Sequence, residues 1–114
     1  MVKLIACIKR KPGMTREEFS RYWRENHGPL VKSVPEFMRH VYKYVQCHIV
    51  GDSGPIGARS PYDGVAELWF ESAAAIDRAF IEPRYLEVIR PDELKFIDLG
   101  GSTILVTDEV PMHG

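Results

Sequence analysis

The chain has 114 residues, with 15 Lys and Arg against 16 Asp and Glu, a net charge of −1 and a pI near 6.4. That length fits one domain over residues 1–114 and not two. The charge balance offers no overall basic field for nucleic acid or anionic lipid, and no apolar run approaches the roughly 18 residues of a membrane span. The opening segment, Met-Val-Lys-Leu-Ile-Ala-Cys-Ile-Lys, has too short an apolar core for a signal peptide, so the expected location is the cytoplasm. Cys7 and Cys47 are too few and too far apart for a disulfide framework or a zinc pair, and are expected to be small buried hydrophobes. Residues 1–57 carry ten basic and five acidic side chains, and residues 58–114 five basic and eleven acidic ones. The two halves attract each other if they fold together.

Residues 2–10, rich in β-branched and apolar side chains, form a first expected strand, ended by the turn residues Lys11, Pro12 and Gly13. Thr15 followed three positions later by Glu18 is a capping box, with Met14 and Phe19 placed as a hydrophobic staple. The helix that starts there has the apolar stripe Phe19, Tyr22, Trp23, Leu30 and Val31, and the same face passes through Asn26 and His27. Gly28 and Pro29 stop or kink it, with a possible extra turn before Pro35 ends it. Residues 42–50 alternate: Tyr42, Tyr44, Gln46 and His48 point one way, and Lys43, Val45, Cys47 and Ile49 the other. Residues 51–61 hold three Gly and two Pro and read as a mobile connection. A third strand is expected over residues 62–70, with Asp63, Val65, Glu67 and Trp69 on one face. Ser72 caps a second helix with the stripe Ile76, Ala79 and Phe80. Residues 84–99 read as irregular or short-helical, since Pro91, Asp92 and Glu93 suit a helical first turn. Gly100 and Gly101 turn the chain into a last strand over residues 102–109.

Strand, helix, strand, strand, helix, strand is the order of an α+β ferredoxin-like sandwich: a four-stranded antiparallel sheet with both helices on one face. The strands are apolar on both faces, Leu4, Ala6 and Ile8 against Ile5 and Cys7, and Ile104 and Val106 against Leu105. A sheet of that kind needs cover on both sides. A second copy, packed sheet against sheet as a symmetric homodimer, is the expected source.

Residues 9–30 (KRKPGMTREEFSRYWRENHGPL), 44–49 (YVQCHI) and 62–70 (YDGVAELWF) together resemble the EthD-type proteins of the dimeric α/β-barrel superfamily. The block holding Phe19, Tyr22-Trp23 and His27-Gly28-Pro29 is the most specific part, and the order and spacing extend over nearly the whole chain. The resemblance implies cofactor-free work on phenolic, polyketide or lactone molecules, in a pocket between sheet and helices. The wider superfamily includes haem-binding and monooxygenase members, so fold alone decides nothing about reaction.

His27, at the buried end of an apolar stripe, is either a helix cap or an acid/base group, and the family motif also places a histidine here. His48 shares its strand face with Tyr42, Tyr44 and Gln46, which reads as a lined cavity or as a hydrogen-bonded sheet histidine. Relatives often carry a polar residue where Cys47 stands. Glu67 either orients a histidine or pairs with an arginine such as Arg24 or Arg39. Asp63 is either a site residue or a turn residue beside Gly64, while Tyr22, Trp23, Tyr44, Trp69, Phe70 and Phe80 are either core or a lining for a planar ring. His40 and His113 read as exposed. No spacing of His, Cys or carboxylates suggests a metal site, and no glycine-rich nucleotide loop or nucleophile elbow occurs.

The expected activity is that of a cofactor-independent lyase or isomerase, carrying out decarboxylation, dehydration or lactone isomerisation on an aromatic or polyketide-derived molecule. His27 and His48 exchange protons, Glu67 orients a histidine, and Tyr22, Trp23, Tyr44, Gln46, Asp63 and Trp69 bind substrate. The alternatives are a non-catalytic accessory protein that shelters a small hydrophobic ligand for an oxygenase pathway, and a haem-dependent or cofactor-free monooxygenase.

Overall fold

A computed structural model describes residues 1–51 and 54–114; Asp52 and Ser53, part of the expected mobile connection, lie outside the described residues. Four strands, β1 (Val2–Ile8), β2 (Lys43–His48), β3 (Gly64–Phe70) and β4 (Thr103–Asp108), form one sheet in the order β2-β3-β1-β4, every pairing antiparallel. This is the expected ferredoxin-like arrangement. The register pairs Leu4 with Leu68 and Val106, and Tyr44 with Leu68, so the even-numbered residues of all four strands share one face. That face carries the core residues Leu4, Ile8, Ala66, Leu68 and Phe70 under the helices.

The helices follow their local signals. The Thr15 hydroxyl accepts a hydrogen bond from the Glu18 backbone N–H while the Glu18 carboxylate accepts one from the Thr15 backbone N–H, which starts α1 (Arg16–Tyr22). A π-helical turn, Trp23–His27, then leads into α2 (Gly28–Lys32), with Pro29 in its first turn. A proline at position 29 has no N–H for the preceding turn and its ring crowds that turn, so the Gly28 N–H reaches back five residues to the Trp23 carbonyl. The second half repeats the device. Ser72 caps α4 (Ala73–Phe80), and a π-helical turn, Tyr85–Ile89, precedes α5 (Arg90–Phe96), with Pro91 in its first turn and the Arg90 N–H on the Tyr85 carbonyl.

The first helical segment ends at Lys32, ahead of Pro35 as expected; Val34 is extended, and Pro35 begins a short α3 (Pro35–Met38), where a proline in the first turn costs no hydrogen bond. Two expectations change. Residues 84–99 are largely helical. His40 is half-buried, its Nε2 shut from water and 4.0 Å from Glu82. Two glycines are required by close approach: a Cβ on Gly64 would lie 2.6 Å from the Trp23 ring, and one on Gly28 would lie 2.8 Å from Gln46 Nε2. Both therefore seat the first helical segment against the sheet. Among the described residues, no helix is long and apolar enough to cross a membrane.

Candidate functional site

Between the even face of the sheet and the helices lies an open cavity of about 770 Å³. Most of its wall is apolar, including Leu4, Ala6, Ile8, Ala66, Leu68 and Ile104. The polar groups that reach it are His27, Tyr44, Asp77, Tyr85, Arg90, Glu93 and Ser102. A few polar groups in an otherwise apolar concavity of this size is the usual form of a small-molecule site.

His27 ends the first π-helical turn and is buried. Its Nδ1 lies 2.8 Å from Asp92 Oδ2, and the other Asp92 oxygen accepts the Tyr22 hydroxyl at 2.5 Å. A carboxylate in that place holds the imidazole with its proton on Nδ1 and leaves the Nε2 lone pair free. Nε2 makes no hydrogen bond among the described residues, and His27 lines the cavity. Burial pushes the His27 pKa below its ordinary value against the opposing pull of Asp92, which favours the neutral ring. Asp92 is itself buried on α5, which the second π-helical turn brings across to His27.

A second chain of hydrogen bonds runs along β2. Gln46 Nε2 donates to the Trp23 carbonyl and to the Tyr44 hydroxyl oxygen, each at 3.0 Å. The Trp23 carbonyl fixes which end of the amide is which, so Gln46 Oε1 accepts from His48 Nε2 at 2.8 Å. His48 Nδ1 then faces the Ser20 hydroxyl at 2.5 Å. The Tyr44 oxygen has its acceptor role filled, and its own proton is left for whatever occupies the cavity. Burial holds the Tyr44 pKa above its ordinary value and the His48 pKa below.

The third polar group comes from the second half. Tyr85 donates to Glu93 at 2.9 Å, and Arg90 Nε reaches both the Tyr85 oxygen, at 3.1 Å, and Glu93, at 3.0 Å. Burial raises the Glu93 pKa, opposed by its bonds to Tyr85 and Arg90.

The residues expected at the site are distributed among three places. His27, Trp23 and Tyr44 line the cavity. Tyr22, Gln46 and His48 support lining groups: Tyr22 bonds Asp92, and His48 acts on Tyr44 only through Gln46. Glu67, Trp69 and Asp63 are not brought to the cavity. Glu67 and Trp69 are odd-numbered and stand on the open face, where Glu67 pairs with Lys3 at 2.5 Å and not with Arg24 or Arg39. Trp69 there lies beneath the ammonium groups of Lys3 and Lys43. Asp63 is buried just before β3, bonded to the Arg10 backbone at 2.8 Å, to the Arg10 guanidinium at 2.6 Å and to Arg16 at 3.2 Å. Of the other aromatic candidates, Phe80 lines the cavity and Phe70 is fully buried in the core. Neither cysteine is buried: Cys7 is half-buried and Cys47 is exposed, both on the open face.

Sequence reasoning missed Asp92, Tyr85, Arg90 and Glu93. The signal available was Pro91-Asp92-Glu93 at a helix start, which explains the acidic pair as first-turn residues without indicating that Asp92 meets His27 or that Glu93 meets Tyr85 and Arg90. Among the described residues, no group of three or more His, Cys, Asp or Glu side chains converges as a metal site would require.

Residues 11–100 match the EthD domain family. The chain is 29% identical over 106 residues to the conidial pigment biosynthesis dehydratase EthD of Metarhizium robertsii, an alignment covering 85% of this chain and 74% of that protein. It is 24% identical over 115 residues to the dehydratase aurZ of Gibberella zeae, covering 93% and 75%. A solved EthD family protein of Bacillus halodurans shares the fold, with a TM-score of 0.70 at 23% identity over 96% of this chain and 99% of that one.

Proposed function

The chain belongs to the EthD domain family, and from that premise we propose that it is an enzyme of the lyase class that removes water from an aromatic or polyketide-derived hydroxyketone held in the cavity. The observation that carries the reading is His27, bonded through Nδ1 to Asp92, with Nε2 unbonded among the described residues and the side chain on an apolar cavity. Nε2 takes the proton from the carbon next to the carbonyl, and the electrons move onto the carbonyl oxygen. Tyr44 donates its hydroxyl proton in a hydrogen bond to that oxygen as charge develops. When the enolate collapses, the C–O bond to the hydroxyl group breaks, and the proton held on Nε2 leaves with it as water. The enzyme returns to its starting state, and Asp92 stabilises the imidazolium in between. The sequence relation to two proteins named dehydratases supports this choice over decarboxylation or isomerisation.

The second copy expected from the sequence belongs to the same reading. Ile5, Cys7, Val45, Val65 and Leu105 leave a partly apolar open face, with Leu105 47% exposed, and we infer that another copy of this chain covers it.

The test is incubation of the purified protein with a panel of hydroxylated aromatic ketones, with product followed by mass spectrometry. A product lighter by one water, formed by wild type and lost in His27→Ala, is expected. Turnover that survives in His27→Ala overturns the assignment. Binding without turnover across the panel replaces it with the sheltering role.

A further inference from the structure

The group formed by Tyr85, Arg90 and Glu93 is not used by the chemistry above, yet it stands on the same cavity. Arg90 is held from one edge only. Its Nε bonds Tyr85 and Glu93, and its guanidinium carbon sits 5.4 Å from the Tyr85 ring centre. Among the described residues, neither Nη group makes a hydrogen bond, although the side chain is 44% exposed and lines the cavity. Arg90 is also the one lysine or arginine in that lining among the described residues. Of the two lining carboxylates, Glu93 is engaged by Tyr85 and by the Nε edge, and Asp77 is exposed. A planar fork fixed at one edge, with its other donors unfilled and an apolar wall beside it, matches a two-oxygen anion on a flat ring.

We propose that Arg90 is a specificity residue that takes a carboxylate of the cavity's ligand on its free Nη edge, so that the ligands of this protein are aromatic carboxylic acids in preference to their neutral counterparts. The proposal rests on the cavity being the substrate site. It adds the substrate's charge, which the proton-transfer chemistry leaves open.

Calorimetric titration with 2-naphthoate and with methyl 2-naphthoate tests it. These probes have the same ring system and differ in the anion. Wild type is expected to bind the acid about tenfold more tightly than the ester, as a charge-assisted fork would give. Arg90→Gln is expected to remove that preference, with the acid losing about tenfold in affinity relative to the ester, and Arg90→Lys to keep part of it. Equal affinity for the two probes in wild type, no binding of the acid, or a preference intact in Arg90→Gln overturns the proposal. If Arg90→Gln does not fold, Arg90→Lys decides: a reduced preference supports the fork, and an undiminished one overturns it. His27→Ala separates this from the catalytic reading, because it is expected to keep the acid preference while losing turnover. Equal affinity for the two probes in wild type, with turnover still dependent on His27, defeats only the Arg90 assignment, and turnover in His27→Ala defeats only the dehydration chemistry.

Discussion

The two faces of the sheet use similar residues to different ends. On the even side, under the helices, polar side chains of helices and strand form chains that finish at the cavity: Tyr22 to Asp92 to His27, and Ser20 to His48 to Gln46 to Tyr44. On the odd face, Lys3, Glu67, Cys47, Trp69 and Glu109 bond one another, and no cavity-lining group is among them. A carboxylate paired to an ammonium is at rest in either protonation state of its surroundings. A carboxylate paired to a neutral imidazole with a free nitrogen is poised to stabilise a new charge. Side-chain type therefore distinguishes the faces less well than what each hydrogen-bond chain ends on.

The comparison is broken most sharply by the even face. His27→Ala is expected to lower kcat by roughly 10²- to 10⁴-fold, the range of a positioned acid or base, with little change in KM. The pH profile gives the sign. Nε2 must be unprotonated to act, so kcat/KM is expected to hold at neutral pH and fall as pH drops through the His27 pKa, which lies below its ordinary 6.5. Stability follows the same direction, since the unfolded chain binds the proton more readily: it is present above about 6.5 and declines as pH falls below that value. A pH-rate profile for wild type and Asp92→Asn checks the first point, and denaturant unfolding over the same pH range checks the second. In Asp92→Asn a large loss of kcat is expected, because an amide cannot stabilise the imidazolium.

Next in size is Tyr44→Phe, expected to lower kcat by roughly 10²-fold through loss of the donor at the carbonyl oxygen. Gln46 and His48 lie behind Tyr44, so His48→Ala is expected to cost less than Tyr44→Phe, and steady-state kinetics on the two variants establishes the order. A larger loss in His48→Ala would place the imidazole in direct contact with substrate and reverse the relation between those two residues.

Asp63→Ala probes the ion pairs that tie the start of β3 to Arg10 and to Arg16 at the start of α1, and is expected to affect stability more than turnover. Its removal leaves the Arg10 backbone N–H and two guanidinium groups without their shared acceptor, at a cost of about 1–3 kcal/mol by denaturant unfolding. Burial alone would raise the Asp63 pKa, but the Arg10 N–H and the Arg16 and Arg10 side chains hold it below the usual 3.8. Its contribution is therefore complete above that value and lost as pH falls through the lower folded pKa.

The strands, their parity and the helix starts at Thr15 and Ser72 were legible because period-two alternation and capping chemistry are local. His27 was legible for the same reason, as the end of a stripe begun by Phe19. Its partner was not. Asp92 lies beyond a π-helical turn that inserts a residue and spoils the 3.6-residue rhythm between Tyr85 and Phe96, so no periodicity pointed α5 at His27. Glu67 stands out in the sequence as a charge on an apolar strand, but alternation within one strand does not say which of its faces joins that of Tyr44 and His48. The register shows this directly: Glu67 pairs with Val45 and Ile5, both facing away from the helices.

The smallest expected effect is the most exacting test of the division. Glu67→Gln keeps the shape of the side chain and removes the charge that holds Lys3 and accepts the Cys47 thiol. Turnover is expected to stay within about twofold of wild type, because nothing on the even face is bonded to it, and stability to change by less than about 1 kcal/mol for a pair near the surface. Sedimentation of the same variant adds a second reading. If another copy covers the odd face, a Lys3 ammonium left with Glu109 as its remaining carboxylate partner is placed at that interface, and the balance shifts toward monomer with the chemistry of each cavity intact. A tenfold fall in turnover at unchanged oligomeric state would instead mean that the faces are coupled through the strands, and that charge on the odd face reaches His27 without a hydrogen-bond chain to carry it.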